Sequence, residues 1–249
     1  FQQAVVTRAL QFCGVLFAAA GRGVLLVAPT GAGKTVIAGH LIRVLAQLGQ
    51  RSVFVAERKE LLDQAVARFR ELGLRVGELR SGVERDLDAP VVVVSKGVLV
   101  NRLKSGRPLP EARMVVIDEA HRAFSPDWEV LLLEGYAHAF RLGLTATPER
   151  LDGKGLDGLF DRMVQVDARI ADLIDQGRLS RVRYVTPVNP HEWELAVQGA
   201  DFAPKAITKC MRALASQIVG AWMRHAFDRR RTAVFCASTT QADELAEEF

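Results

Sequence analysis

VLLVAPTGAGKT, residues 24 to 35, places four apolar residues before a loop of small residues, which ends in a lysine and a threonine. The apolar residues predict a short buried strand, and the segment from Thr35 to Leu48 predicts a helix. Gly31 and Gly33 leave the loop with few side chains, so that its backbone N–H groups can face an anion. This stretch therefore predicts a strand, an anion-binding loop and a helix.

Four further segments have the composition of buried strands. They are SVFVA at 52 to 56, VVVVS at 91 to 95, MVVIDEAH at 114 to 121 and FRLGLTATP at 140 to 148. An amphipathic helix is predicted between the first two, over residues 57 to 73. Apolar runs without alternation are expected where helices cover both faces of a parallel sheet. The pattern predicts an α/β fold with a doubly wound parallel sheet, whose ligands bind beyond the carboxyl ends of the strands.

The composition is that of an ordinary globular protein. The 249 residues are 49% hydrophobic, and the net charge of +4 supports nucleic-acid binding only weakly. The apolar stretch from 12 to 20 is too short to cross a membrane, so neither a membrane span nor a signal peptide is predicted. Cys13, Cys210 and Cys236 are far apart, which disfavours disulfides and a zinc site. We therefore expect reduced thiols and a cytoplasmic location.

The character of the sequence changes after about residue 152, and prolines interrupt the segment between 187 and 204. TAVFCAS at 232 to 238 then predicts a strand, and the following residues predict a helix that reaches the last residue. The predicted domains are a first α/β domain over 1–168, a connecting segment over 169–231, and the start of a second α/β domain over 232–249. Because the chain stops inside a predicted helix, we expect it to be part of a longer protein.

The glycine-rich loop has the residues that phosphate binding requires. Its backbone from Thr30 through Gly31, Ala32 and Gly33 can cradle phosphates, Lys34 can reach the β and γ phosphates, and the hydroxyl of Thr35 can ligate Mg²⁺. ATP and Mg²⁺ are therefore the predicted cofactors. The first position of the general GxxxxGK[ST] pattern is Ala28 here, and a plain glycine-rich turn is the alternative interpretation.

DEAH, residues 118 to 121, follows the apolar run MVVI. At a strand end, Asp118 can hold Mg²⁺, and Glu119 can orient or deprotonate an attacking water. The alternative is a helix N-terminus with acidic residues placed favourably on its dipole. His121 suggests a hydrogen-bonded link to the next strand, where Thr145 and Thr147 carry hydroxyl groups.

APTGAGKT, DEAH and TATP, in this order, resemble motifs I, II and III of superfamily 2 helicases and translocases, whose motor domains have a RecA-like fold. In that family alanine is common at the position of Ala28. Segments 54–64, 91–99 and 234–249 resemble motifs Ia, Ib and IV, and the last would open a second RecA-like domain. FQQAV at 1 to 5 resembles the end of an upstream adenine-reading element, which makes Gln2 the candidate and Gln3 the alternative.

The resemblance also implies nucleic-acid contacts. In this family the ends of the corresponding strands grip the phosphate backbone of one strand, which implicates Arg58, Lys59, Ser95 and Lys96. A solvated helix start is the alternative for Arg58 and Lys59. TATP, followed by the segment from 149 to 179, is most similar to phage-type and restriction-enzyme-type members and not to RNA helicases, which favours DNA over RNA.

The sequence therefore predicts the N-terminal motor portion of an ATP-dependent helicase or translocase. A motor subunit of a restriction system, with a nuclease partner, is one alternative, and a non-catalytic nucleotide-binding scaffold is another. The resemblance places the arginine fingers of the family in motif VI, which these 249 residues do not contain. Full activity is therefore expected to need a second domain.

Overall fold

The structure is a computed structural model that describes residues 22–123, 125–147, 158–185, 197–198, 201–202, 204–229, 231–236 and 238–248. The chain divides into two compact units, Phe1–Ser180 and Arg181–Phe249. The first unit therefore ends at Ser180, whereas the sequence placed the end of its first domain at residue 168.

An eight-stranded sheet forms the centre of the first unit among the described residues. Its strands are β1 (Gly23–Val27), β2 (Ser52–Ala56), β3 (Val76–Arg80), β4 (Val83–Arg85), β5 (Val91–Ser95), β6 (Met114–Ile117), β7 (Phe140–Thr145) and β8 (Arg162–Gln165). Their order is β4-β3-β5-β2-β6-β7-β1-β8, and each neighbouring pair is parallel except β3 with the short edge strand β4. The predicted doubly wound parallel sheet is confirmed.

Helices connect most of these strands. They are α1 (Lys34–Gln47), α2 (Lys59–Glu71), α3 (Lys96–Lys104), α4 (Pro126–Val130) and α5 (Ile170–Asp175) in the first unit. A 3₁₀ turn (Ala120–Arg122) follows β6, and a π-helical turn (Leu131–Gly135) continues α4. In α2 the residues Leu62, Ala65, Val66 and Phe69 are buried, at the spacing that places them on one face of a helix. The remaining positions of α2 are mostly polar and exposed.

Both faces of the sheet are covered, as its continuous apolar strands predict. In β2, Phe54 packs into a core shared with α1 and α2, while Val53 and Val55 pack into a second core that contains Trp128 of α4. The carboxyl ends of β1, β2, β6 and β7 therefore lie along one edge of a rigid sheet. The loops that follow these strands carry the predicted site residues.

Three strands of this sheet, β3, β4 and β8, were missed by the sequence analysis. β3 is charged, and its Glu78 is buried between Arg70 and Arg80, at 2.9 and 2.8 Å. β8 is an edge strand with mostly exposed side chains, and among the described residues it pairs only with β1. The helix α5 that follows β8 places Leu173 in the same core as α1. This packing is why the first unit extends beyond residue 168.

The second unit contains a short hairpin, β9 (Val197–Gln198) with β10 (Asp201–Phe202), and two helices, α6 (Pro204–His225) and α7 (Thr239–Glu248). Arg212 of α6 forms an ion pair with Glu244 of α7, with 2.7 Å between Nε and Oε2. The 22-residue helix α6 lies inside the predicted connecting segment, and no helix was predicted over its residues.

The helix predicted near the end of the chain is present as α7, but the strand predicted before it is not formed in the described residues 231–236. Phe235 in this segment is 90% exposed. A parallel strand is held by hydrogen bonds to a neighbouring strand, and the described residues of the second unit supply none beside it. The strand prediction is therefore wrong for this structure.

Gly23 at the start of β1 offers a test of this packing. A methyl group there would lie 2.3 Å from the carbonyl oxygen of Leu159, which is backbone and cannot rotate away. We expect Gly23→Ala to lower the free energy of unfolding by about 1–3 kcal/mol, measured by urea denaturation followed by circular dichroism.

Gly97→Ala is the matched control for this variant. Gly97 lies in α3, and a methyl group there meets no atom within 4 Å in the described part of the chain. This substitution is expected to stabilise the helix by roughly 0.5–1 kcal/mol. Equal stabilities for the two variants would contradict the close approach of β1 to Leu159.

Candidate functional site

The loop after β1 has the backbone shape of an anion cradle. Gly31 and Gly33 have φ angles of 84° and 86°, in the left-handed region that favours glycine. Ala32 between them is buried, while Thr30 and Gly31 are exposed. The N–H of Ala28 donates to the carbonyl oxygen of Thr145 at 2.9 Å, which fixes the start of the loop against β7. The loop is thus held in shape by glycine geometry and by the sheet.

Lys34 is the first residue of α1, directly after this loop, and its side chain reaches back into the loop. Its Nζ donates to the carbonyl oxygen of Ala28 at 3.1 Å. Burial lowers the pKa of Lys34 below its ordinary value, while the negative charges of Glu119 and Asp118 act to raise it. Lys34 follows β1 and the carboxylates follow β6, and β7 alone lies between these two strands in the described sheet, so both loops leave the same edge. The predicted lysine and carboxylates therefore share one site.

Asp118 and Glu119 form the turn between β6 and the 3₁₀ segment. Burial raises the pKa of the Asp118 carboxyl, the charge of Glu119 raises it further, and a hydrogen bond from the Glu119 N–H to Asp118 Oδ1, at 3.1 Å, opposes the shift. Glu119 has a φ of 50°, in the left-handed region that glutamate rarely adopts. Such a conformation costs about 1–3 kcal/mol and is concentrated at functional sites. The strained backbone presents two adjacent carboxylates beside the loop.

His121 connects this turn to β7. Its Nδ1 lies 3.2 Å from Thr145 Oγ1 and 3.3 Å from Glu119 Oε2. The Thr145 hydroxyl donates to the carbonyl oxygen of Thr147 at 2.7 Å and accepts from the Thr147 N–H at 3.1 Å. Because the only proton of this hydroxyl is already used, Nδ1 of His121 must carry the proton of their shared hydrogen bond. The link between DEAH and TATP that the sequence suggested is present as a hydrogen-bonded chain.

A cavity of about 520 Å³ opens beside the two carboxylates, on the side of β2. It is lined by Asp118, Glu119, His121 and Arg122 after β6, by Glu57, Arg58, Glu60 and Leu61 after β2, and by Trp128 of α4. None of the loop residues from Thr30 to Thr35 contributes to its lining. The carboxylates therefore border two spaces, the loop after β1 and this cavity.

The four residues predicted to contact nucleic acid lie at the same edge of the sheet, in different environments. Arg58 and Lys59, at the start of α2, are exposed, and Arg58 lines the cavity. Ser95 ends β5 and is partly exposed. Lys96 is held in contacts with Glu57, Ser125 and the ring of Trp128.

Gln2 and Gln3, the candidates for adenine recognition, lie outside the described residues. The sequence analysis missed Glu57, Arg122 and Trp128 as residues of the site. Glu57 and Arg122 adjoin predicted motifs, so proximity along the chain was an available signal for them. Trp128 carried no such signal, since an aromatic residue at that spacing is typical of an ordinary core.

No group of three or more His, Cys, Asp or Glu side chains that could hold a metal ion lies in the described part of the first and second units. A hydroxyl and a single carboxylate are a donor set for Mg²⁺, which keeps several waters and is often bound together with substrate phosphates. Thr35, the second residue of α1, and Asp118, which follows β6, carry groups of these two kinds. No helix in the described ranges is both long and apolar enough to cross a membrane.

A parallel sheet with a glycine-rich loop after a central strand and carboxylates after a second strand defines the class of RecA-like P-loop domains. Within that class the particular family is also established. Residues 1–150 match the family described as Type III restriction enzyme, res subunit, and the chain belongs to this family.

Two other proteins illustrate what this chain is similar to. The chain is 24% identical over 226 residues to a 51.5 kDa protein of Lactococcus phage (isolate 7-9), covering 90% of this chain and 46% of the phage protein. It is 27% identical over 258 residues to the putative mitochondrial ATP-dependent helicase irc3 of Schizosaccharomyces pombe, covering 96% of this chain and 41% of the helicase. The chain thus spans less than half the length of either relative.

A solved structure supports the fold alone. A nuclease-deletion mutant of the Type ISP restriction-modification enzyme LlaGI, in complex with a DNA substrate mimic, superposes with a TM-score of 0.51 at 17% sequence identity. The match covers 72% of this chain and 18% of the enzyme.

Proposed function

We propose that this chain is the N-terminal motor domain of an ATP-dependent superfamily 2 helicase or translocase. One observation carries the proposal: the glycine-rich loop before Lys34 and the turn that carries Asp118 and Glu119 are both hydrogen-bonded to Thr145 of β7, through the Ala28 N–H and through His121. A cation and two carboxylates beside an anion cradle are the groups that phosphoryl transfer requires. The family assignment and the relative described as an ATP-dependent helicase support the same function.

Each residue of the site has a distinct role in this proposal. The backbone from Thr30 to Gly33 binds phosphates, and Lys34 neutralises their charge. Thr35 and Asp118 hold Mg²⁺, which supplies charge neutralisation when bound. Glu119 accepts a proton from the attacking water or orients it.

The chain of hydrogen bonds through His121, Thr145 and Thr147 couples the carboxylate turn to β7 in this proposal. His121 contacts both Glu119 and Thr145, so a change at the carboxylates has a direct route to the TATP segment. Gln2 remains the candidate for adenine recognition.

Nucleic acid is the proposed partner, bound at the edge of the sheet where Arg58, Lys59 and Ser95 lie. Contacts of this kind read the phosphate backbone and not the bases, so binding is expected to be independent of sequence and sensitive to salt. DNA is favoured over RNA by the resemblance of TATP and the segment that follows it to phage and restriction proteins. A cytoplasmic location is part of the proposal, and the free thiols of Cys210 and Cys236 agree with a reducing compartment.

A motor subunit of a restriction system is the second candidate, because the matched family is described as the res subunit of Type III restriction enzymes. Such a motor would use the same residues to translocate along duplex DNA without separating its strands. The two candidates therefore share the ATP site and differ in the form of the nucleic acid on which they act.

The test is ATP hydrolysis by the full-length protein that contains this chain, with single-stranded DNA, duplex DNA, RNA and no nucleic acid. We expect DNA to stimulate hydrolysis. Strand displacement from a partial duplex would identify a helicase, whereas displacement of a triplex-forming strand alone would identify a duplex translocase. ATP binding with no hydrolysis under any condition would refute both candidates and favour a nucleotide-binding scaffold.

A further inference from the structure

Lys96 is the first residue of α3, and its ammonium group joins three separate segments of the first unit. Nζ lies 3.2 Å from Ser125 Oγ, 3.4 Å from Glu57 Oε1 and 5.2 Å from the centre of the Trp128 ring. Glu57 follows β2, whereas Ser125 and Trp128 belong to the segment around α4. The side chain of Lys96 is only 19% exposed. One partly buried cation therefore connects β2 and β5 to the segment that follows the DEAH turn.

These contacts give the ammonium group of Lys96 partners on three different residues. An ammonium group has three N–H donors and no acceptor. The carboxylate of Glu57, the hydroxyl of Ser125 and the face of the Trp128 ring provide three electron-rich partners in three directions. A phosphate at Nζ would compete with these partners for the same donors.

The position of Lys96 in its helix also speaks against a role in stabilising α3. A cation at a helix N-terminus faces the positive end of the helix dipole, which is unfavourable. The presence of a lysine at this position is therefore explained by its contacts outside α3. Two of those contacts, Glu57 and Trp128, line the 520 Å³ cavity that Asp118 and Glu119 border.

We propose that Lys96 is a positioning residue, which fixes Glu57 and Trp128 in the wall of the cavity beside the DEAH carboxylates and does not bind the nucleic-acid backbone. The sequence-based assignment of Lys96 to the nucleic-acid contacts is replaced by this role. The catalytic consequence rests on the proposed function, since it concerns the geometry next to Glu119. The structural consequence, a fixed Trp128, does not depend on that function.

The first experiment measures DNA-stimulated ATP hydrolysis and DNA affinity in the full-length protein, with an oligo(dT) strand as the probe. We expect Lys96→Met to lower kcat at saturating DNA by about ten- to a hundred-fold, because small displacements next to reacting groups have effects of this size. The slope of log Kd against log salt should stay unchanged, because no phosphate contact is lost. Lys96→Arg should recover most of kcat, because a guanidinium can donate to Glu57 and Ser125 and stack on Trp128.

Arg58→Met is the matched control, since Arg58 is an exposed cation at the same edge of the sheet. Loss of one phosphate contact on a single strand changes the salt slope by about 0.7, and this change is expected for Arg58→Met. If Lys96→Met shows the same change with kcat at saturating DNA intact, Lys96 is a phosphate contact and the proposal is overturned.

A second measurement is independent of catalysis. Every tryptophan of the full-length protein other than Trp128, including the other two of this chain, is replaced by phenylalanine, so that the fluorescence reports on Trp128 alone. Lys96→Met should shift its emission and make it more accessible to acrylamide, and Glu57→Gln should do so in part. Unchanged emission and quenching would overturn the positioning role, whereas absent ATP hydrolysis in the unsubstituted protein would refute only the proposed function.

Discussion

Lys34→Ala is expected to abolish ATP hydrolysis, with a fall in kcat of at least about 10²–10³-fold in the full-length protein. Lys34 is the cation of the glycine-rich loop, and burial already lowers the pKa of its ammonium group while Glu119 and Asp118 act to keep it charged. Removal of this group leaves two carboxylates without a counter-charge at the place where phosphates are proposed to bind. Steady-state hydrolysis with and without DNA measures the effect.

Lys104→Ala is the control for Lys34→Ala. Lys104 lies at the end of α3, its side chain is 66% exposed, and it pairs with Asp127 on the surface at 2.9 Å. Exposed ion pairs contribute little to stability, so the fold and the hydrolysis rate should both be retained. Hydrolysis by Lys34→Ala at more than a tenth of the unsubstituted rate would contradict the assignment of the ATP site.

The arrangement of site residues could be predicted where one short stretch of sequence contains both the residues that shape the backbone and the residues that carry the reactive groups. In the glycine-rich loop, the residues that need left-handed backbone and the lysine that follows them are adjacent, so the sequence alone indicates their arrangement. The meeting of Lys34 with Asp118 needed the additional rule that parallel strands bring their carboxyl ends to one edge. Contacts that follow from motif position and sheet topology could therefore be predicted.

Contacts that depend on side-chain packing could not be predicted in this way. Lys96 follows a strand as Arg58 does, yet it is partly buried against Trp128 while Arg58 is exposed. Nothing in the linear sequence shows that α4 places the ring of Trp128 next to the lysine that follows β5. Similarly, Glu78 makes β3 look like a surface segment until Arg70 and Arg80 are seen to neutralise it. The sequence determines these pairings only through the complete fold.

Asp118→Asn should separate stability from activity, because the two depend on the charge of this carboxyl in opposite ways. Burial and the neighbouring charge of Glu119 raise the pKa of Asp118 above its ordinary value of 3.8. A carboxyl whose pKa is higher in the folded than in the unfolded state destabilises the fold once it ionises, and the destabilisation is complete above the folded-state pKa. Asparagine carries no charge, so the variant should unfold at a higher temperature at pH 7 while hydrolysis falls by about 10²–10³-fold.

The pH dependence of the difference in unfolding temperature is an independent check on the sign of this effect. Below pH 3.8 the carboxyl is protonated in both states, so the gain in thermal stability of Asp118→Asn should shrink as the pH falls towards that range. Asp172→Asn is the matched control, since a hydrogen bond from Arg169 lowers the pKa of Asp172, and because this pair is exposed its loss should change the unfolding temperature at pH 7 little and not raise it. An Asp118→Asn variant that unfolds at a lower temperature than the unsubstituted protein at pH 7 would show that the charge of Asp118 is compensated within the fold. In that case the carboxylate would be a structural group, and its assignment as a ligand for Mg²⁺ would lose its electrostatic basis.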